Sequence, residues 1–319
     1  MGKKHNVKDN SQVKEAEYQE KDKSFYYTYY KQLLIIPIAM LLIAMILIGY
    51  QYATTGDFVN KGISLKGGTS FTISNDVADI ASLNLDLFKE ELQNKFAPIE
   101  IDVRELKEFT SRKAISIDID VTDKDEINLF KDGLVELIPG LTNEEIEGNM
   151  RTTGSSLGDS FFNQIIKAII LAFVFMGIVV FFQFRVIVPS IAVILAAFSD
   201  IIVTLAVVNV MGMKLSTAGI AAFLMLIGYS VDTDILLSTR VLKGKVGTVY
   251  DRVISSMKTG MLMNVTTLVA VTIALFVSQS DVITQIMTIL FIGLLVDIIN
   301  TWIQNAGILR YYMEKRGAK

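Results

Sequence analysis

Leu215–Arg240 reads LSTAGIAAFLMLIGYSVDTDILLSTR. From Ala218 to Ser238 it is apolar and long enough to cross a bilayer, which takes about 20 helical residues, yet it carries Asp232 and Asp234. An ionisable side chain at that depth costs several kcal/mol and rarely persists without a function or a partner. Residues two apart point about 200° from each other on a helix of 3.6 residues per turn. The two aspartates therefore cannot face one cavity. One is expected inside a bundle, the other toward a partner subunit or a water-filled groove. Asp232 is placed roughly 10 Å from the nearer end of its span, at 1.5 Å per residue.

Five more runs of this kind flank the first: Leu33–Tyr50, Gln164–Phe182, Ile187–Val210, Met261–Ser278 and Ile283–Leu309. The third span holds Asp200 (LAAFSDIIVT) and the sixth holds Asp297 (GLLVDIINTW), with Asn300 about one turn further on. The fifth holds Asn264, Thr266 and Thr267 (MLMNVTTLVAV). No Lys or Arg lies mid-span, so a counter-charge must come from a proton, an ion or another chain. Removing water disfavours the ionised form of a carboxylic acid, a property a proton carrier near neutral pH needs. Asp232, Asp200, Asp234 and Asp297 are thus the proton- or ion-coupling candidates. Asn264, Thr266, Thr267 and Asn300 are the supporting polar seam, suited to hydrogen bonds between membrane helices.

Composition closes other routes. The chain has 319 residues, no Cys and a single His, His5 in the N-terminal tail, so disulfides, thiolate metals and a histidine-based catalytic or zinc site are excluded. No GxxxxGK[ST] phosphate loop is present. The YD and GxGD pair of intramembrane aspartyl proteases is not matched, since the chain offers only Gly228–Asp232 (GYSVD). The reading is of a non-enzyme with no cofactor and no metal.

Charge sets the orientation. Lysines fill Lys3–Lys31, and Arg185, Arg240, Lys243, Lys245, Arg252, Lys258, Arg310, Lys315, Arg316 and Lys319 fall on the same side of an even number of crossings. The positive-inside rule makes that side, with both termini, cytoplasmic. Tyr26, Tyr27, Tyr29 and Tyr30 before the first span, and Tyr311 and Tyr312 after the last, suit interfacial belts. The first span follows a polar tail without an obvious cleavage site and is read as a retained anchor.

The expected organisation is a disordered cytoplasmic tail over 1–31, a first membrane helix over 32–52, an extracytoplasmic α+β domain over 53–160, a five-helix bundle over 161–310 and a short cytoplasmic tail over 311–319. Residues 1–23 alternate Lys with Asp and Glu and lack the apolar surface to fold. In the outer domain, strands are expected at Ile63–Ile73 (interrupted by Gly67-Gly68), Ile99–Leu106, Ala114–Val121 and Glu145–Thr152. Helices are expected at Leu85–Phe96 and Asp125–Ile138, the latter capped by Thr122 or Asp123. The order β-α-β-β-α-β is that of a ferredoxin-like fold. Leu242–Gly260 is expected as a basic cytoplasmic loop.

With these segments in place, the chain resembles the SecF side of the SecD/SecF family of the RND superfamily, over about Leu33 to Leu309. Leu215–Arg240 is similar to the family's GYSxxDTxxxxxR element. Gly62–Phe71 (GISLKGGTSF) resembles the glycine motif GxDxxGGT, with Ser64 in place of Asp, which marks Gly62, Gly67, Gly68 and Thr69. Gly154–Gly158 (GSSLG) resembles the GPxLG start of the second span. Phe184-Arg185 and Ser199-Asp200 resemble an FR and HD pair, and Met263–Leu268 (MNVTTL) resembles TSxTTL. Bacterial SecF has Asn-Asp-Thr where this chain has Asp232-Thr233-Asp234, and Gly where it has Asp297. These departures look like the archaeal branch.

The resemblance implies a six-helix half-transporter with its α+β domain outside the cytoplasmic membrane. It implies a SecD-like partner, association with the SecY translocon, contact with exported polypeptides and lipid, and no nucleic acid. The implied function is assistance to protein export by coupling proton or ion flow to motion of the outer domain. Two other readings stand beside it: an RND-type small-molecule or lipid exporter subunit, and a non-transporting translocon scaffold.

Overall fold

The structure, a computed structural model, describes residues 25–75, 77, 80, 83–108, 111–244, 247–278 and 280–317. The tail expected over 1–23, with His5, and the cations Lys245 and Lys319 lie outside the described residues.

Helix α1 (Phe25–Leu33) leads into α2 (Ile35–Thr55), so residues 25–31 are helical. Pro37 sits in the first turn of α2, where a missing N–H costs nothing. The next element is one helical turn, α3 (Ile63–Lys66), and strand β1 begins only at Gly68 (Gly68–Ser74). The strand expected from Ile63 is therefore half helix. Gly67 and Gly68 make the switch at φ 93° and 132°, a region closed to side-chain-bearing residues. At Gly68 an added Cβ would also stand 2.4 Å from the Ile119 carbonyl oxygen.

Helix α4 (Leu85–Lys95), strands β2 (Ile101–Glu108) and β3 (Ser111–Ile119), and helix α5 (Lys124–Leu137) follow. Asn84 caps α4 and Asp123 caps α5, each side chain accepting from two backbone N–H groups. The last expected strand starts late. A Thr142–Glu145 capping box winds α6 (Asn143–Gly148), leaving β4 at Met150–Thr153. The strands run β2-β3-β1-β4, every pair antiparallel, which is the ferredoxin-like order. One face buries Phe71, Ile73, Ile115, Ile117 and Ile119 under Phe88, Leu92, Ile127, Phe130 and Leu134 of the two helices. The Phe130 ring lies 5.4 Å from that of Phe71 and 4.6 Å from that of Phe96. The other face is polar: Ser70 donates to Asp118, and Arg104 pairs with the same carboxylate.

Among the described residues, six helices are long and apolar enough to cross a membrane: Phe25–Thr55, Ser160–Phe184, Ile187–Val210, Thr217–Lys243, Val249–Val277 and Val282–Lys315. They comprise α1–α2, then α7 (Ser155–Phe184), α8 (Ile187–Val210), α9 (Thr217–Lys243), α10 (Val249–Val277), α11 (Asp281–Ile299) with a wide turn at Asn300–Asn305, and α12 (Ala306–Lys315). The apolar windows of α8 and α9 are 56% buried while that of α7 is 6% buried, so α8 and α9 form the centre and α7 the rim. Most of the expected loop at Leu242–Gly260 is helix, since α9 runs to Lys243 and α10 starts at Val249. A Thr248–Asp251 capping box starts α10 there, and Val249, Val253, Ser256 and Gly260 give it a buried face.

The sheet domain sits on the bundle through backbone. The Gly62 amide donates to the Leu215 carbonyl (2.8 Å) and the Leu215 amide to the Asn60 carbonyl (2.7 Å). Gly158 of α7 presses on α3, where an added Cβ would lie 2.9 Å from the Gly67 amide. The two glycine-bearing motifs thus meet each other at the join.

Candidate functional site

Four helices and the wide turn bring one set of polar groups to the middle of the bundle. Helix α8 supplies Ser199 and Asp200, α9 supplies Ser230 and Asp234, α10 supplies Asn264 and α11 supplies Asp297, all fully buried. Asn300, Thr301, Gln304 and Asn305 of the turn are buried with them.

Each carboxylate is held by several donors. Ser230 donates to Asp200 Oδ2, and Asn300 Nδ2 donates to Asp200 Oδ1 at 2.8 Å. Asn305 Nδ2 donates to Asp234 Oδ1 at 2.7 Å. Asn264 Nδ2 donates to Asp297 Oδ2 at 3.1 Å. The Thr301 hydroxyl lies 3.0 Å from Asp234 Oδ1 and 3.0 Å from Asp297 Oδ1, joining the two carboxyl groups. Beside them, Gln304 Nε2 donates to Ser199 Oγ at 3.3 Å. Among the described residues no Lys or Arg nitrogen pairs with any of the three acids.

The network leaves several buried acceptors without a donor. Asn264, Asn300 and Asn305 each give one N–H to a carboxylate and Gln304 gives one to Ser199, while Asn264 Oδ1, Asn300 Oδ1, Gln304 Oε1 and Asn305 Oδ1 are left buried without a donor, as is Asp234 Oδ2. A hydroxyl carries a single hydrogen. Thr301 can donate to Asp234 or Asp297, and must accept from the other if both contacts are hydrogen bonds.

The wide turn makes this possible. On an α-helix Asn300 and Asn305 would point about 140° apart. The π-type turn, bonded i to i+5, brings residues five apart to one side. Both amides then face the acids, Asn300 toward Asp200 and Asn305 toward Asp234. Trp302 packs outward from the same turn against Gly260 of α10, where any Cβ would stand 2.3 Å from the ring.

The candidates named from the sequence divide here. Asp200, Asp234, Asp297, Asn264 and Asn300 share the network. Asp232 does not: it is exposed on the opposite face of α9. Thr266 and Thr267 also stand apart, their hydroxyls donating to the Met263 carbonyl, while Thr267 accepts from Tyr229 at 3.0 Å. Gly62, Gly67, Gly68 and Thr69 lie at the base of the sheet domain, where Thr69 donates to the Val121 carbonyl at 2.7 Å. Ser230, Thr301, Gln304 and Asn305 were not singled out. The available signal was the polar run NTWIQN (300–305) inside an apolar span.

A ferredoxin-like domain between the first two of six apolar helices, and an acidic network at the bundle centre, define a multi-pass helical membrane protein. Residues 139–315 match the family described as protein export membrane protein SecD/SecF, C-terminal. Protein-export membrane protein SecF of Pyrococcus furiosus is 40% identical over 289 residues, covering 91% of this chain and 93% of that one. The SecF of Methanocaldococcus jannaschii is 39% identical over 296 residues, covering 91% and 98%. The chain belongs to this family, on its SecF branch. In three dimensions it is similar to SecDF from Thermus, a translocon-associated membrane protein, with a TM-score of 0.72 at 17% identity. That match covers 90% of this chain and 39% of the other, so the chain spans well under half of that protein.

Proposed function

We propose that this chain is an auxiliary subunit of the protein-export machinery that pairs with a SecD-like subunit, assists translocation through the SecY translocon and couples proton flow to motion of its sheet domain. In this reading the sheet domain lies outside the cytoplasmic membrane and both termini lie inside. The chain makes and breaks no covalent bond of a substrate. The observation that carries the reading is the set of three buried carboxyl groups on neighbouring helices, two of them joined through Thr301, with buried acceptors beside them that have no donor. A proton entering the set satisfies an acceptor that is otherwise stranded. It shifts the bundle between arrangements only if it binds them with different affinity, and a turn that can carry Asn300 and Asn305 toward or away from the acids supplies that difference.

Asp232 takes another role. Its carboxyl faces outward at membrane depth, where a charge needs a partner, and we assign it to the surface that meets the second subunit.

Asp234→Asn tests the proposal. Asp234 Oδ1 accepts both bonds while Oδ2 has none, so an amide keeps the contacts and removes the titration. In vesicles holding the complete complex, the variant is expected to assemble normally and lose proton flux and stimulated export. Wild-type flux and export from this variant would remove Asp234 from the mechanism. Absence of flux in the wild-type complex across pH would leave a scaffold.

A further inference from the structure

The wide turn leaves one backbone group needing a donor. In an α-helix the Ala306 amide would bond the Trp302 carbonyl. Here it bonds the carbonyls of Thr301 and Ile303 instead. The Trp302 carbonyl accepts from the Tyr26 hydroxyl at 2.5 Å, a contact spanning 276 positions of sequence. Tyr26 is thus more than the interfacial anchor its place before the first span suggests. Its ring packs against the buried cluster that contains Trp302, Leu237 and Val253, and its hydroxyl closes the backbone of the turn that carries Asn300, Thr301 and Asn305.

We infer that Tyr26 is a positioning residue for the buried carboxyl network, holding the Asn300–Asn305 turn in its wide form through the Trp302 carbonyl. The role deepens the proposed coupling function and rests on it for its purpose, though not for its geometry. Without the hydroxyl, the Trp302 carbonyl must recover the Ala306 amide, since a buried backbone acceptor is seldom left unpaired. That tightens the turn by one residue and rotates Asn305 off Asp234. The N-terminal helix has a separate fastening, which keeps the inference testable. Arg310 stacks on Tyr27 at 4.3 Å and Tyr30 at 4.0 Å from their ring centres, and its Nε donates to Glu314 at 3.0 Å. Removing the Tyr26 oxygen leaves those contacts in place.

The test uses the full chain in lipid nanodiscs. Trp302 is the chain's single tryptophan and so reports on the turn without labelling. Tyr26→Phe is expected to raise amide hydrogen exchange across 300–310 about five- to tenfold, the effect of losing one ordinary hydrogen bond, and to shift Trp302 emission. Tyr27→Phe, on the same helix, is expected to do neither. Wild-type exchange and emission in Tyr26→Phe would overturn the inference. Equal effects from Tyr27→Phe would also overturn it, by tracing them to general loosening of α1. Neither outcome depends on proton flux, so failure of the coupling reading shows separately in Asp234→Asn.

Discussion

Thr301→Val cuts the carboxyl network at its joint. Thr301 is fully buried, with its hydroxyl 3.0 Å from one oxygen of Asp234 and 3.0 Å from one of Asp297. Valine keeps the branched shape and removes both contacts. Stranding a buried polar group costs about 1–3 kcal/mol. Hydrogen bonds between membrane helices average about 0.6 kcal/mol and reach about 1.7. Two contacts sharing one hydrogen therefore contribute about 1–3 kcal/mol to whichever arrangement holds them. That amounts to a shift of roughly 5- to 150-fold in the balance between two states of the bundle. The assay is secretion of a reporter in cells that carry the variant as their only copy, normalised to membrane abundance, with thermal unfolding of the purified chain alongside. The expected result is a lower melting temperature and a clear export defect for Thr301→Val, with Thr301→Ser close to wild type. Wild-type export and melting of the valine variant, at normal abundance, would refute the view that this hydroxyl links two acids in one working unit.

Three further outcomes follow from other contacts. Gly260→Ala drives a methyl against the Trp302 ring, where the ideal Cβ lies 2.3 Å from it; overpacking of this kind costs about 1–3 kcal/mol, and unchanged melting and Trp302 emission would count against the packing described. Asp232→Asn is expected to leave the isolated chain's stability within about 0.5 kcal/mol, as surface changes do, while weakening copurification of the second subunit; undiminished copurification would deny Asp232 the partner surface. At the join between domain and bundle, the 2.7 Å hydrogen bond from Lys66 holds Glu100 below its ordinary range and Lys66 above its own. A lowered carboxylate stabilises above its unfolded value, about 4.3, and the contribution fades as pH falls through the lower folded one. Protease access to residues 96–108 should therefore rise in acid for wild type, without that step in Glu100→Gln, and matching profiles would rule the pair out as the cause.

What the sequence disclosed depended on how local the signal was. Helices α4 and α5 were legible because their apolar spacing, and for α5 the cap at Asp123, lie within the segments themselves. The start of β1 was misread because Gly67-Gly68 punctuates a strand and a helix-to-strand switch with the same letters. The first turns of α10 were taken for loop because their composition is polar. Only the Thr248–Asp251 capping box marked them, and hydropathy is blind to it. The period of a helix established that Asp232 and Asp234 part company. It could not say which one turns inward, since apolar residues flank both. The wide turn at Asn300–Asn305 left no periodic trace at all, because the contact on its freed carbonyl, from the Tyr26 hydroxyl to Trp302, comes from 276 positions away in sequence.

That turn also explains why acids and amides occupy the positions they do. Three carboxyl groups placed on three helices would repel and would pull water between them if nothing but hydrocarbon surrounded them. Asn264, Asn300 and Asn305 answer with N–H groups, one to each acid, so each acid is held by an amide from a different helix. The same amides bring carbonyl oxygens that have no donor in this arrangement. Added protons improve the hydrogen bonding of this arrangement, and lost protons favour any arrangement that withdraws the amides or lets solvent in. Two of the three amides ride on one turn, and that turn is held from outside the network by a tyrosine. In the proposed coupling, the most economical movement linking protonation to the rest of the chain is a change in the winding of that turn, which would shift α12 against α1 at one end and α11 beneath the sheet domain at the other.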